Sequence, residues 1–148
     1  MSFFTSMDIS ASGLTAQRMR TDVITENIAN ATTTRTADGT PYRRKYVLFA
    51  QSGNAAPFSQ YLKNADNAYS GVAGGVRVTQ IREDTSNFKL KYDPEHPDAD
   101  ADGYVRMPNV DIEREMVDFM EATRAYEANV TAINNFKAMA NRALQIGR

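Results

Sequence analysis

The residues most able to do chemistry lie between Asp93 and Gly103. Asp98-Ala-Asp100-Ala-Asp102-Gly103 opens like a calcium loop, where alternating carboxylates and a glycine wrap a hard cation. The match then stops. The twelfth position, counted from Asp98, is Asn109 where a bidentate Glu is needed, and a proline-rich turn replaces the entering helix. The run therefore reads as a solvated acidic turn. His96 is the one histidine of a chain with no cysteine, so a typical zinc site cannot be assembled. As a general base it lacks a nucleophile, and no strand-to-helix element such as Gly-x-Ser-x-Gly is present.

Two charged groups remain. Arg35 with Arg43-Arg44-Lys45, interleaved with Tyr42 and Tyr46, would suit a phosphate backbone in a basic protein. Here 17 basic residues meet 18 acidic ones, and a net charge of −1 provides no field for nucleic acid or anionic lipid. The cluster is read as a partner for acidic side chains. Glu113, Glu115, Asp118, Glu121 and Glu127 could include a catalytic carboxylate pair, but Arg114 and Arg124 interrupt them. They read as a solvated or inter-subunit charged face. Nothing calls for a metal or cofactor, and no catalytic constellation supports an enzyme.

The elements that carry these groups follow from periodicity. Asp111 to Gln145 contains no Gly or Pro and predicts one helix, roughly 50 Å long at about 1.5 Å per residue. Ile112, Met116, Phe119, Tyr126, Val130, Ile133, Ala140 and Leu144 form a coiled-coil ladder along it. Ala125, Ala128, Ala132, Phe136, Met139, Ala143 and Ile146 form a second row, about 100° round. Two rows imply two neighbours, one within the chain and one in another molecule.

A first helix is expected from about Ser6 to Asn30, capped by Ser6 or Asp8. Leu14, Thr21, Ile24, Ile28 and Ala31 mark one row, and Ile9, Ala16 and Val23 a second. Small residues such as Gly13 and Ala16 would let a partner helix approach closely. Between Thr34 and Pro108 the pattern turns to strand and loop. Asp38-Gly39 predicts a tight turn, and strands are expected at Tyr42–Phe49, Val76–Ile81, Phe88–Tyr92 and Tyr104–Met107. Residues 58–75 predict an irregular excursion. Phe88, Leu90 and Tyr92 alternate with Lys89 and Lys91, which predicts a half-exposed strand with its lysines outward. Asn109 or Asp111 should cap the long helix.

The fold class expected is α+β: an antiparallel, coiled-coil-like pair of terminal helices around a small β-rich insertion. Residues 1–33 and 108–148 would form the discontinuous helical domain and residues 34–107 the insertion. No apolar run reaches the roughly 20 residues of a membrane span, and the first residues lack the features of a cleavable signal peptide.

Asn27-Ile28-Ala29-Asn30-Ala31-Thr32 at the end of the first helix resembles the signature of flagellar rod and hook proteins, the axial proteins of the bacterial flagellum. Arg124-Ala125-Tyr126-Glu127-Ala128-Asn129 is similar to the segment those proteins share in their C-terminal helix. Tyr104 to Asp111, the Pro94 to Gly103 turn and Asp38-Gly39-x-Pro41-Tyr42-Arg43 resemble proximal rod members. The resemblance implies a basal-body rod subunit in the periplasm, exported by the flagellar type III apparatus without signal cleavage, that carries torque from motor to hook. Its partners would be other rod proteins, further copies of itself in a helical tube, and inner-membrane ring or export-gate adaptor proteins.

Leu14, Val23, Ile24 and Ile28 with Phe119, Tyr126, Val130 and Ile133 are the expected helix-pairing set. Phe136 and Met139 belong to the second row. Asn27 and Asn30 match the N-terminal signature and are expected to fix the helix end, while Arg124 and Asn129 match the C-terminal one. A soluble helical adapter or chaperone that binds a partner through the long helix is the competing reading.

Overall fold

The computed structural model describes residues 3–52 and 74–146. The expected excursion at 58–75 lies outside them except for Gly74 and Gly75. In chain order the elements are α1 (Phe3–Ala29), β1 (Lys45–Gln51), β2 (Val76–Glu83), β3 (Lys89–Tyr92), β4 (Tyr104–Met107) and α2 (Ile112–Ile146). Two terminal helices thus flank two small antiparallel hairpins, an α+β fold.

The helices run antiparallel. Gly13 lies opposite Asn129, Arg20 pairs with Asp118 and Glu121, and Asn27 meets Glu115. Each step up α1 is a step back along α2, so the first turn of α1 is level with about Met139 and the end of α2 projects beyond it. Small side chains make the pairing close: Ala16 and Ala122 are buried in the seam. At Gly13 a Cβ would stand 3.0 Å from Asn129 Oδ1, so this glycine admits α2 at a distance alanine would contest.

Helix starts follow capping chemistry. α1 begins at Phe3, earlier than expected, which places Ser6 and Asp8 inside the helix. At α2 the cap is Asp111, whose Oδ1 accepts from Glu113 N at 3.2 Å while its carbonyl accepts from Glu115 N. Asn109 serves elsewhere: its Oδ1 accepts from Arg44 N at 2.8 Å, and its Nδ2 donates to Asp84 O and Ser86 Oγ.

The β1–β2 hairpin packs against α1. Ser12 Oγ accepts from Val76 N at 3.0 Å and donates to Ile9 O, tying the start of β2 to the helix. Strand β1 starts at Lys45 rather than Tyr42, because the preceding backbone donors are engaged: Tyr42 N with Thr33 O, Arg44 N with Asn109. Between Leu48 and Phe49 the register shifts past Thr79, whose Oγ1 donates back to Leu48 O. The Asp38-Gly39 turn forms as expected, with Gly39 at φ 74° and its N–H donating to Thr36 O.

The β3–β4 hairpin reverses an expectation. Directly opposed residues share a face, so Lys89 and Lys91 lie with Met107 and Val105. Val105 is buried, whereas Leu90 and Tyr92 on the other face are open to solvent. Alternation in β3 established two faces without saying which one packs, and β4 decided the matter by contributing Val105. Lys89 tolerates the inner face because its ammonium reaches Val110 O at 3.0 Å.

Candidate functional site

The tightest interactions sit where the end of α1, the approach to β1 and the start of α2 converge. Asn27 Nδ2 donates to Lys45 O at 2.8 Å and to Glu115 Oε2 at 3.0 Å. Its Oδ1 accepts from Tyr42 OH at 3.0 Å and from Lys45 N at 2.9 Å. A carboxamide offers two donors and two lone pairs, and all four are used here. Glu115 Oε1 takes Arg44 Nε at 2.5 Å, Arg44 Nη2 reaches Asp118 Oδ2 at 3.3 Å, and Arg20 Nη2 reaches Asp118 Oδ1 at 3.1 Å. A single polar chain therefore runs from Tyr42 to Arg20 across three elements.

Burial makes that chain consequential. Asn27 and Glu115 are both 0% exposed, and a carboxylate removed from water needs pairing and full hydrogen bonding. Burial, followed by the charges of Glu26 and Glu115, pushes the Tyr42 hydroxyl above the usual phenol range and keeps it a donor.

These contacts revise the reading of the acidic residues on α2 and agree with that of the basic cluster. Glu115 and Asp118 are turned into the seam instead of forming a solvated face. The basic cluster pairs within the chain, Arg44 as described, Lys45 with Glu26 at 2.6 Å and Arg35 with Asp98 at 3.9 Å. Arg43 stacks on the Phe88 ring, 4.4 Å from its centroid. In the acidic turn Asp98 accepts from Thr34 Oγ1, and Asp100 faces Arg106. His96 Nδ1 accepts from Asp98 N, which makes it a loop residue that shapes the turn.

Of the residues matched by periodicity or resemblance, Val23, Ile24 and Asn27 are buried. Leu14, Ile28, Asn30, Asn129, Val130, Ile133 and Phe136 are half-buried, while Phe119, Arg124, Tyr126 and Met139 are exposed. Asn30 sits at the helix end, its Nδ2 donating to Glu26 O and its Oδ1 accepting from Thr33 Oγ1. Asn27 instead clasps the start of β1 and Glu115. The centre of the seam on α2 is the line Glu115, Asp118, Ala122, Ala125 and Asn129, about 100° from the apolar ladder. Phe119 and Tyr126 flank it, 38% and 40% exposed. Bulky ladder residues cannot lie where the backbones come closest, and the small and polar row can. Periodicity weighted only apolar residues, so it missed Glu115 and Ala122 as seam residues, while Arg44 was read as a partner for acidic side chains and is one. The detectable signal was the 3-4-3-4 spacing of small and polar side chains from Glu115 to Asn129.

One side of the helix pair is covered by β1–β2, with a cleft of about 290 Å³ between them lined by Val23, Ile24, Val47 and Phe49. Among the described residues the opposite side is open. There Thr25 and Ile28 of α1 with Met116, Phe119 and Met120 of α2 line an apolar groove, continued by Thr21, Asp22, Thr123 and Tyr126. Among the described residues no helix is long and apolar enough to cross a membrane.

Among the described residues the terminal helices are closed by a buried polar clasp and left apolar on one side, a surface of the kind that suits an assembly subunit. Residues 7–35 match the family model described as flagella basal body rod protein, and residues 101–146 the one described as flagellar basal body rod FlgEFG protein C-terminal. The flagellar basal-body rod protein FlgC of Borreliella burgdorferi is 50% identical, with 99% of this chain and 98% of that protein aligned. The same-named proteins of Bacillus subtilis and Salmonella typhimurium are 51% and 39% identical over the whole of both chains. The chain belongs to the FlgC family of flagellar basal-body rod proteins.

Proposed function

We propose that the chain is a structural subunit of the proximal rod of the bacterial flagellum, assembling helically through its terminal helices to pass torque from motor to hook. The observation that carries this is the open apolar surface of α2. Met116, Val117, Met120, Met139 and Leu144 are each more than half exposed in the single chain, a density that a solvated helix does not need. Full-length similarity to proteins named flagellar basal-body rod protein supports the same reading. Subunits that join head to tail without closing a ring build a helical tube, and torque then passes through packed side chains.

In this reading residues 1–33 and 108–148 form the assembling helical domain, and residues 34–107 an insertion. Leu14, Val23, Ile24 and Ile28 hold the molecule together, with Asn27, Asn30, Arg124 and Asn129 fixing helix ends and register. Phe119, Tyr126, Val130, Ile133, Phe136 and Met139 divide between the internal seam and neighbouring subunits. Partners are other rod proteins, further copies of the chain, and inner-membrane ring or export-gate adaptor proteins. The role is mechanical and not enzymatic, and it places the chain in the basal body. Deleting the gene should abolish filaments while the inner-membrane ring persists, and filaments of normal number in the deletion strain would overturn the assignment.

A further inference from the structure

Sulfur in this chain is carried by methionine alone: there are seven methionines and no cysteine. A thioether is therefore the softest group the protein offers to an oxidant, with no thiolate to intercept it first. Of the described methionines, Met19, Met116, Met120 and Met139 are exposed, while Met7 and Met107 are half-buried.

Two of the exposed four stand together. Met116 and Met120 are 55% and 51% exposed, and positions four apart lie one above the other on a helix. Both line the groove shared with Thr25, Ile28 and Phe119. The one polar group among these lining residues is the Thr25 hydroxyl, which already donates to Thr21 O at 2.8 Å. Arg124 stands at the margin, one turn past Met120 and two past Met116. The lining itself thus offers no free donor to an oxygen placed on either sulfur.

We infer that Met116 and Met120 are a redox-sensitive pair, and that their oxidation by a peroxide bars the unassembled chain from the rod. A sulfur lone pair attacks one oxygen of hydrogen peroxide, so that an S–O bond forms as the O–O bond breaks. The departing hydroxide takes the proton of the transferred hydroxyl and leaves as water; sulfur loses two electrons and the peroxide gains them. Each sulfoxide is polar, and an apolar surface closed over it strands its oxygen without a hydrogen bond. A methionine sulfoxide reductase reverses the change with two electrons from a dithiol, releasing the oxygen as water. The inference rests on the rod-subunit reading, since it needs the groove to be covered on assembly. Once covered, the sulfurs are shielded, so the switch acts before incorporation and not after it. The fold is spared, because neither methionine takes part in the Asn27–Glu115 clasp.

The purified chain, treated with hydrogen peroxide and followed by peptide mass spectrometry, should gain sulfoxide at Met116 and Met120 at least about fivefold faster than at Met7 and Met107, with its Tm unchanged. Even oxidation of all four positions, or a Tm that falls as the pair is oxidised, overturns the inference. The native chain and a Met116→Leu/Met120→Leu chain are then produced together in a deletion strain. Every other methionine is common to both, so only the groove differs, and leucine keeps the volume without the sulfur. In isolated basal bodies the ratio of leucine to native chain should rise at least about threefold with a sublethal peroxide dose, while sulfoxide at Met116 and Met120 stays in the unassembled pool. A ratio unmoved by peroxide despite that sulfoxide overturns the redox pair and leaves the rod reading standing. Absence of the native chain from intact basal bodies before any peroxide is added overturns both.

Discussion

Asn27 Nδ2 and Glu115 Oε2 lie 3.0 Å apart, a carboxamide at the end of the first helix meeting a carboxylate at the start of the last. Neither side chain touches solvent. Through this pair the two ends of the sequence and the start of β1 are set in one register, and most of the chain's stability tests converge on it.

Asn27→Ala removes four hydrogen bonds and strands the Lys45 amide, the Tyr42 hydroxyl and one oxygen of Glu115. At about 1 kcal/mol or more for each buried group left unpaired, the loss should reach about 3 kcal/mol in urea unfolding. Asn27→Asp, although isosteric, should be worse, since it puts a second carboxylate against Glu115. An Asn27→Asp protein as stable as the native one would remove the clasp from the account.

Arg44→Met leaves Glu115 buried without its cation, and removal of one partner of such a pair costs about 3–5 kcal/mol. The double variant Arg44→Met/Glu115→Met should recover much of that loss, because two apolar side chains no longer need compensation. Denaturant midpoints of the two single variants and the double close the cycle. Additive losses would mean that the 2.5 Å contact carries no coupling.

Gly13→Ala sets two effects against each other. Helix propensity favours alanine by about 1 kcal/mol, while crowding against Asn129 Oδ1 and Nδ2, at 3.0 and 3.1 Å, costs about 1–3 kcal/mol. The expected net result is a lowered Tm. Shortening the opposing residue relieves the clash, so Gly13→Ala/Asn129→Ala should melt above Asn129→Ala alone.

The raised pKa of Tyr42 predicts an alkaline weakness. The unfolded chain releases this proton near the usual 10.0 and the folded chain only at higher pH, so the contribution is complete below pH 10 and declines as pH rises above it. Tyr42→Phe should lower stability at neutral pH by losing the bond to Asn27, yet flatten its fall between pH 10 and 11. Parallel unfolding curves for the two proteins across that range would contradict the burial argument.

Much of the architecture is legible in the sequence. A 35-residue helix without Gly or Pro, a second helix ended by Asn30 and Thr residues, and turn dipeptides between them lead to α+β, because these signals are local and act through backbone conformation. The Asp38-Gly39 turn is a signal of the same kind, and so is the cap of α2, which the sequence narrowed to Asn109 or Asp111 and the structure gives to Asp111. The orientation of the helix pair was less legible. The apolar ladder from Ile112 to Leu144 indicated that α2 has neighbours, while the closest approach fell on Ala122, Glu115 and Asn129 beside it.

Sequence by itself determined the elements, the absence of thiol chemistry and the family signatures at both ends, since each depends on residue types at short spacing. Only the tertiary structure decided which side of β3 packs, where the seam runs on α2, and that Glu115 belongs to the core. Those outcomes depend on partners distant in the chain. A carboxylate is a surface residue until Arg44 and Asn27, 71 and 88 positions away, supply the charge and hydrogen bonds that water would otherwise provide.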